Sequence, residues 1–99
     1  MTTVESEAAF TSRALAIGVT PAVLQLVKDG GLDTFGKFAY SCAYTPGSSD
    51  EQPFVQLLKL LLSRDPTVQE LAVLRRLYFE SHAMSVADLR CRVDGVQGG

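Results

Sequence analysis

The sequence predicts an all-α fold: a compact bundle of about five helices with a long C-terminal helix. Three observations carry that prediction. Apolar residues recur at steps of three and four rather than two. Thr, Asp, Ser, Pro and Gly stand where helices start and stop. Of the 99 residues 46% are hydrophobic and the mean hydropathy is +0.14, which supplies a core and excludes a disordered chain. The length suits one domain, placed at residues 1–94, with a flexible Gly-rich tail at 95–99.

Thr2 and Glu5 fit a capping box that opens a first helix over about residues 3–17, with Val4, Ala8, Ala14 and Leu15 at helical spacing. Gly18 stops it. Thr20-Pro21 is an N-cap followed by Pro at the first helical position, opening a second helix from Pro21 to Lys28. Val23, Leu24, Leu26 and Val27 fill its inner side, and Gly30-Gly31 ends it. Asp33 caps a third helix with Phe35, Phe38, Ala39 and Cys42 on one face.

The run from Tyr44 to Asp50 holds Pro, Gly, Ser and Asp and reads as a loop. Ser49 or Asp50 then caps a fourth helix from about Glu51 to Ser63, whose face is Phe54, Leu57, Leu58, Leu61 and Leu62. Asp65-Pro66 opens the last helix, which meets no breaker before Gly95. At about 1.5 Å per residue it spans roughly 40 Å, longer than the roughly 34 Å diameter of so small a domain. It must bend or project. Its first half is strongly apolar, from Val68 to Phe79, and its second half has a thinner stripe at Val86, Leu89 and Val93.

Charge narrows the function. Nine Lys and Arg against eleven Asp and Glu give a net charge of −2, which disfavours a strongly basic nucleic-acid binder. No apolar run reaches the roughly 18 residues of a membrane span, and the acidic start is unlike a secretory signal. The expected setting is intracellular, cytoplasmic or nuclear, with no membrane. Cys42 and Cys91 read as small apolar residues rather than a disulfide, and His82 forms no ligand cluster with either. No metal or cofactor is expected.

Catalytic motifs are missing from the sequence. His82 lies on the line of Leu74, Tyr78 and Val86 with no nucleophile or acid beside it, so it reads as a boundary histidine. Tyr40, Tyr44 and Tyr78 are spaced as inward rings with wet hydroxyls. Asp50-Glu51 at a helix start is explained by the helix dipole, and Asp88 with Arg92 by a surface pair. The turn from Ile17 to Leu24 resembles half of a helix-hairpin-helix, in which amides at a helix N-terminus grip a phosphate. Thr20 replaces the second glycine of that motif, and Lys28 is the only base between Val19 and Asp33.

The last helix carries the stronger interaction signal. His82, Val86, Leu89 and Val93 step by four, three and four, a coiled-coil rhythm over too few turns to define one.

Glu5 to Phe10, Gly36 to Tyr40, Pro53 to Val55 and above all Leu74 to His82 resemble an uncharacterised multicopy protein family of dinoflagellates, sometimes associated with mobile-element open reading frames. The resemblance covers most of residues 5–94. Family members often continue into an Arg-rich segment, which implies that this chain is a fragment, a short copy or an N-terminal module. It implies no functional residues.

The expectation is a non-enzymatic module for protein interaction or self-association, the N-terminal part of a larger chain. Its surface is the outer face of the last helix: Arg75, Arg76, Val86, Leu89, Arg90 and Val93. The alternative is a nucleic-acid-binding module of a mobile-element protein, using the Gly18–Thr20 turn with Arg75, Arg76, Arg90 and Arg92.

Overall fold

The computed structural model describes residues 3–42, 44–45 and 48–98; of residues 3 and 91–98 only the backbone path is described. A 3₁₀ turn, Thr3–Glu5, precedes five helices: α1 Glu7–Ile17, α2 Pro21–Asp29, α3 Phe35–Ala39, α4 Gln52–Leu62 and α5 Val68–Gly98. The all-α bundle with a long last helix is what the sequence predicts. No strand occurs among the described residues.

α5 is the spine. Its 31 residues span about 46 Å at the usual rise, close to the longest molecular dimension of 48 Å, against 30 and 20 Å across. Leu74, Leu77, Tyr78, Ser81 and Ser85 form its buried stripe, and α3, α1 and the 3₁₀ turn lie against it. α2 packs on α1 and α4 at the other end of the bundle.

The core is largely aromatic. Tyr78 is ringed by Phe38 at 5.5 Å, Phe54 at 5.0 Å and a stacked Tyr44 at 5.6 Å, while Phe10 meets Phe35 edge-on at 5.3 Å. Such pairs contribute about 0.5–1.5 kcal/mol each beyond their buried area. They explain how a five-residue helix, too short to persist alone, is held: α3 buries Phe35, Phe38 and Ala39 together.

Several boundaries differ from expectation, each because a neighbouring residue caps better. α1 starts at Glu7, since Ser6 is extended and its hydroxyl accepts from the Ala9 amide at 3.2 Å. Thr2 lies outside the described residues. Thr34, not Asp33, caps α3 by accepting from the Lys37 amide at 3.2 Å, leaving Asp33 to take the Lys37 ammonium at 2.9 Å. α5 opens two residues after Asp65 on a capping box: Thr67 Oγ1 accepts from the Glu70 amide at 3.1 Å, and Glu70 Oε1 accepts from the Thr67 amide at 2.9 Å. Asp50 Oδ1 accepts from the Gln52 amide at 3.0 Å, and α4 stops before Ser63, which is left-handed at φ 58°. Thr20 caps α2 as predicted, and Gly18 ends α1 at φ 121°, a conformation a β-carbon would strain.

Depth also departs from spacing. Ala8, Leu15, Leu26 and Val68 are exposed, while Phe10 is fully buried. Cys42 is only half-buried, and the side chain of Cys91 lies outside the described residues. Tyr40 faces solvent at the C-terminal cap of α3. The Tyr78 hydroxyl is not wet: it is buried, donates to the Tyr44 carbonyl and accepts from the Cys42 thiol at 3.8 Å.

Candidate partner-binding face and groove

The residues expected on the outer face of α5 separate into two groups. Arg75 is half-buried and grips Glu51 through two bonds, Nε to Oε1 at 2.5 Å and Nη2 to Oε2 at 2.9 Å. The Tyr44 hydroxyl donates to the same carboxylate at 3.3 Å. The Arg75 guanidinium holds Glu51 below the usual carboxylate range, and burial, with Glu51 nearby, pushes Tyr44 up. Arg76 Nε donates to Glu80 at 3.0 Å, and Arg13 of α1 adds Nε at 2.7 Å and Nη2 at 3.0 Å to that carboxylate. Glu80 is lowered chiefly by Arg13. Both arginines therefore sit in ion pairs, with Arg75 tying α5 to the start of α4 and Arg13 meeting Arg76 at Glu80.

Farther along, Leu89 is 56% exposed, Arg90 is exposed and Val86 is half-buried. The side chain of Val93 lies outside the described residues, as do those of Cys91 and Arg92. The structure thus brings Val86, Leu89 and Arg90 to one end of the spine, about three turns beyond Arg75 and Arg76.

Leu89 also forms one wall of a groove of about 580 Å³ between this end of α5, the 3₁₀ turn and α3. Val4 and Tyr40 supply further apolar wall, with Tyr40 itself 66% exposed. The close approach of the 3₁₀ turn depends on Gly36, where a β-carbon would sit 3.0 Å from Val4 Cγ1. Glu5, Asp88 and Lys37 bring charge to the groove, and the Lys37 ammonium is already bound to Asp33. Ser85 lines it with a hydroxyl that is buried and has no hydrogen-bond partner. One turn earlier Ser81 Oγ donates to the Leu77 carbonyl at 2.7 Å, the usual way a helical serine satisfies itself. Ser85 makes no such bond.

Neither Tyr40 nor Ser85 stood out in the sequence as a site residue. Tyr40 lies two residues after Phe38 and five after Phe35, so at the C-terminal cap of α3 it points away from the buried side. Ser85 is one small polar residue in a mixed stretch.

The turn at Gly18–Thr20 lies by the opposite end of α5, next to Val73. Thr20 spends its hydroxyl on the Val23 amide at 3.3 Å. The charged side chain lining the hollow beside this turn is Glu70, which Arg64 and the Thr67 amide hold down to about 2. Among the described residues no group of His, Cys, Asp and Glu is arranged to hold a metal, and no helix is long and apolar enough to cross a membrane. No protein-family model, curated protein or solved structure matches the chain.

Proposed function

We propose that this chain is a non-enzymatic helical interaction module that engages protein through the far end of α5 and the groove beside it. The observation that carries the reading is the pairing of two large exposed side chains, Leu89 and Tyr40, on the walls of one groove. Scattered exposed apolar residues are ordinary, but two that share a concavity form a place where an apolar side chain gains by leaving water. Arg75 and Arg76 contribute by fixing the helix rather than by meeting the partner, since each is already in an ion pair. The partner-facing residues are Val86, Leu89 and Arg90, joined by Tyr40 and Val4.

Light scattering across a range of protein concentrations, together with partner capture, tests this on the native chain and on Leu89→Asp. A self-associated or captured species that the substitution dissolves supports the reading. If Leu89→Asp changes neither, the reading fails. The nucleic-acid alternative is favoured by no specific feature: the phosphate-binding turn it needs is flanked by Glu70 and is remote from Arg90.

A further inference from the structure

From the outer side of α4 we infer that the chain pairs with a second copy of itself across α2 and α4, a face that shares no lining residue with the one proposed above. Seven of the 11 residues of α4 are Leu, Phe or Val, yet only Phe54, Leu58 and Leu62 are buried. A helix that is apolar on every side is ordinarily covered on every side. Leu60 instead stands 77% exposed, and Leu57 and Leu61 are only partly covered. Leu60 rises from the rim of a groove of about 420 Å³ between α4 and the end of α2, with Leu26, Leu32, Leu57 and Leu61 in its walls. Gly30 keeps the groove open, since a β-carbon there would collide with Leu61 Cδ2.

Two features identify the occupant as a second copy. The first is shape. One face carries both a protruding leucine and a hollow walled by leucines, so under a two-fold axis each copy's Leu60 enters the other's groove. The second is charge. Asp29, in the groove wall, bonds to a neutral group, the Gln25 amide at 2.8 Å, and is in no ion pair among the described residues. The base on this side of α4 is Lys59, next to Leu60 in sequence. When Leu60 enters the other copy's groove, Lys59 approaches the Asp29 in its wall, and the two-fold axis makes that contact twice. Lys59 holds Asp65 at 3.2 Å, but that pair is open to water, contributes little and leaves further donors on the ammonium. The base beside the protruding leucine thus matches the acid within the hollow, as a self-complementary interface requires.

Sedimentation of the whole chain over a range of concentrations tests this, with helix content by circular dichroism as the check on folding. The expected result is a reversible monomer–dimer equilibrium. Leu60→Asp should weaken it at least about tenfold, because each copy then brings a charge to an apolar hollow in place of a leucine. Lys59→Glu and Asp29→Lys should each weaken it roughly threefold. Mixed together, those two variants should pair about as well as the native chain, because each reversed charge then meets its opposite. Leu89→Asp should leave the dimer intact.

The inference is overturned if the native chain sediments as a monomer at every concentration reached, or if Leu60→Asp, still helical, dimerises as well as the native chain. It is also overturned if mixing the two charge variants restores nothing. A dimer that Leu89→Asp dissolves and Leu60→Asp does not would assign self-association to the far end of α5, so the two faces stand or fall separately.

Discussion

Tyr78 and Ser81 are one turn apart on α5 and both are fully buried, yet their hydroxyls have different consequences. Tyr78 donates to the carbonyl of Tyr44, thirty-four residues away in sequence, and so pins the start of the loop to the spine. Burial raises its pKa, so the hydroxyl keeps the proton that makes this bond. Ser81 bonds only to its own helix. Tyr78→Phe leaves the ring packing intact but strands a buried carbonyl, at a cost of about 1–3 kcal/mol. Ser81→Ala trades a local bond for better helix propensity and should be near neutral. Urea midpoints of the two variants measure the difference, and equal midpoints would show that the Tyr44 carbonyl finds another donor. Spacing placed Tyr78 inward but could not disclose where its hydroxyl points. Tyr40 was also expected inward, but it stands two residues from Phe38 and five from Phe35, on the outer side of α3, and is exposed. Periodicity gives direction around a helix; depth and hydrogen-bond partners depend on what lies across from it.

At the scale of elements, the number, order and approximate extent of the helices were legible in the sequence because each has a cap and a stop. The choice between adjacent caps was not. Asp33 and Thr34 are both residue types able to accept amide protons, and so are Asp65 and Thr67; a better use elsewhere decides which one caps. Asp33 goes to Lys37, and Thr67 gains the reciprocal bond from Glu70. Ion pairs then tie the elements together: Glu51 with Arg75, Glu80 with Arg13 and Arg76, Glu70 with Arg64. All three carboxylates have folded pKa values below the ordinary value of about 4.3. A depressed folded pKa gives stability that is fully present above the unfolded value and is lost as pH falls through the folded one. The chain should therefore hold its stability down to about pH 5 and lose it progressively towards pH 2, where Glu70 itself titrates. Urea midpoints at pH 7 and pH 3 check this. A midpoint unchanged between them would mean that the pairs do not persist in solution.

For the whole molecule, the length of α5 relative to the rest of the bundle decides how stability is distributed. The sequence showed that the last helix outruns a domain of this size, but not how far the other elements follow it. Against α3 and the 3₁₀ turn, Ser81 and Ser85 are buried, whereas Leu89 only walls the groove those elements form and is itself exposed, as is Arg90. Helices persist in proteins mainly through a packed face, so opening the far end requires far less than opening the middle. Amide hydrogen exchange should show Leu74 to Ser81 exchanging only through global unfolding. Val86 to Arg90 should exchange faster by local opening, at least about tenfold, which corresponds to about 1.4 kcal/mol. Uniform protection along the helix would place the far end within the cooperative core and leave no loosely held face for a partner to order. With a partner bound at this face, protection should rise at Ser85 to Arg90 and remain unchanged at Leu74 to Ser81, because only the groove end gains contacts. That local gain distinguishes ordering of the far end by a partner from general stabilisation of the fold, which would slow exchange along the entire spine.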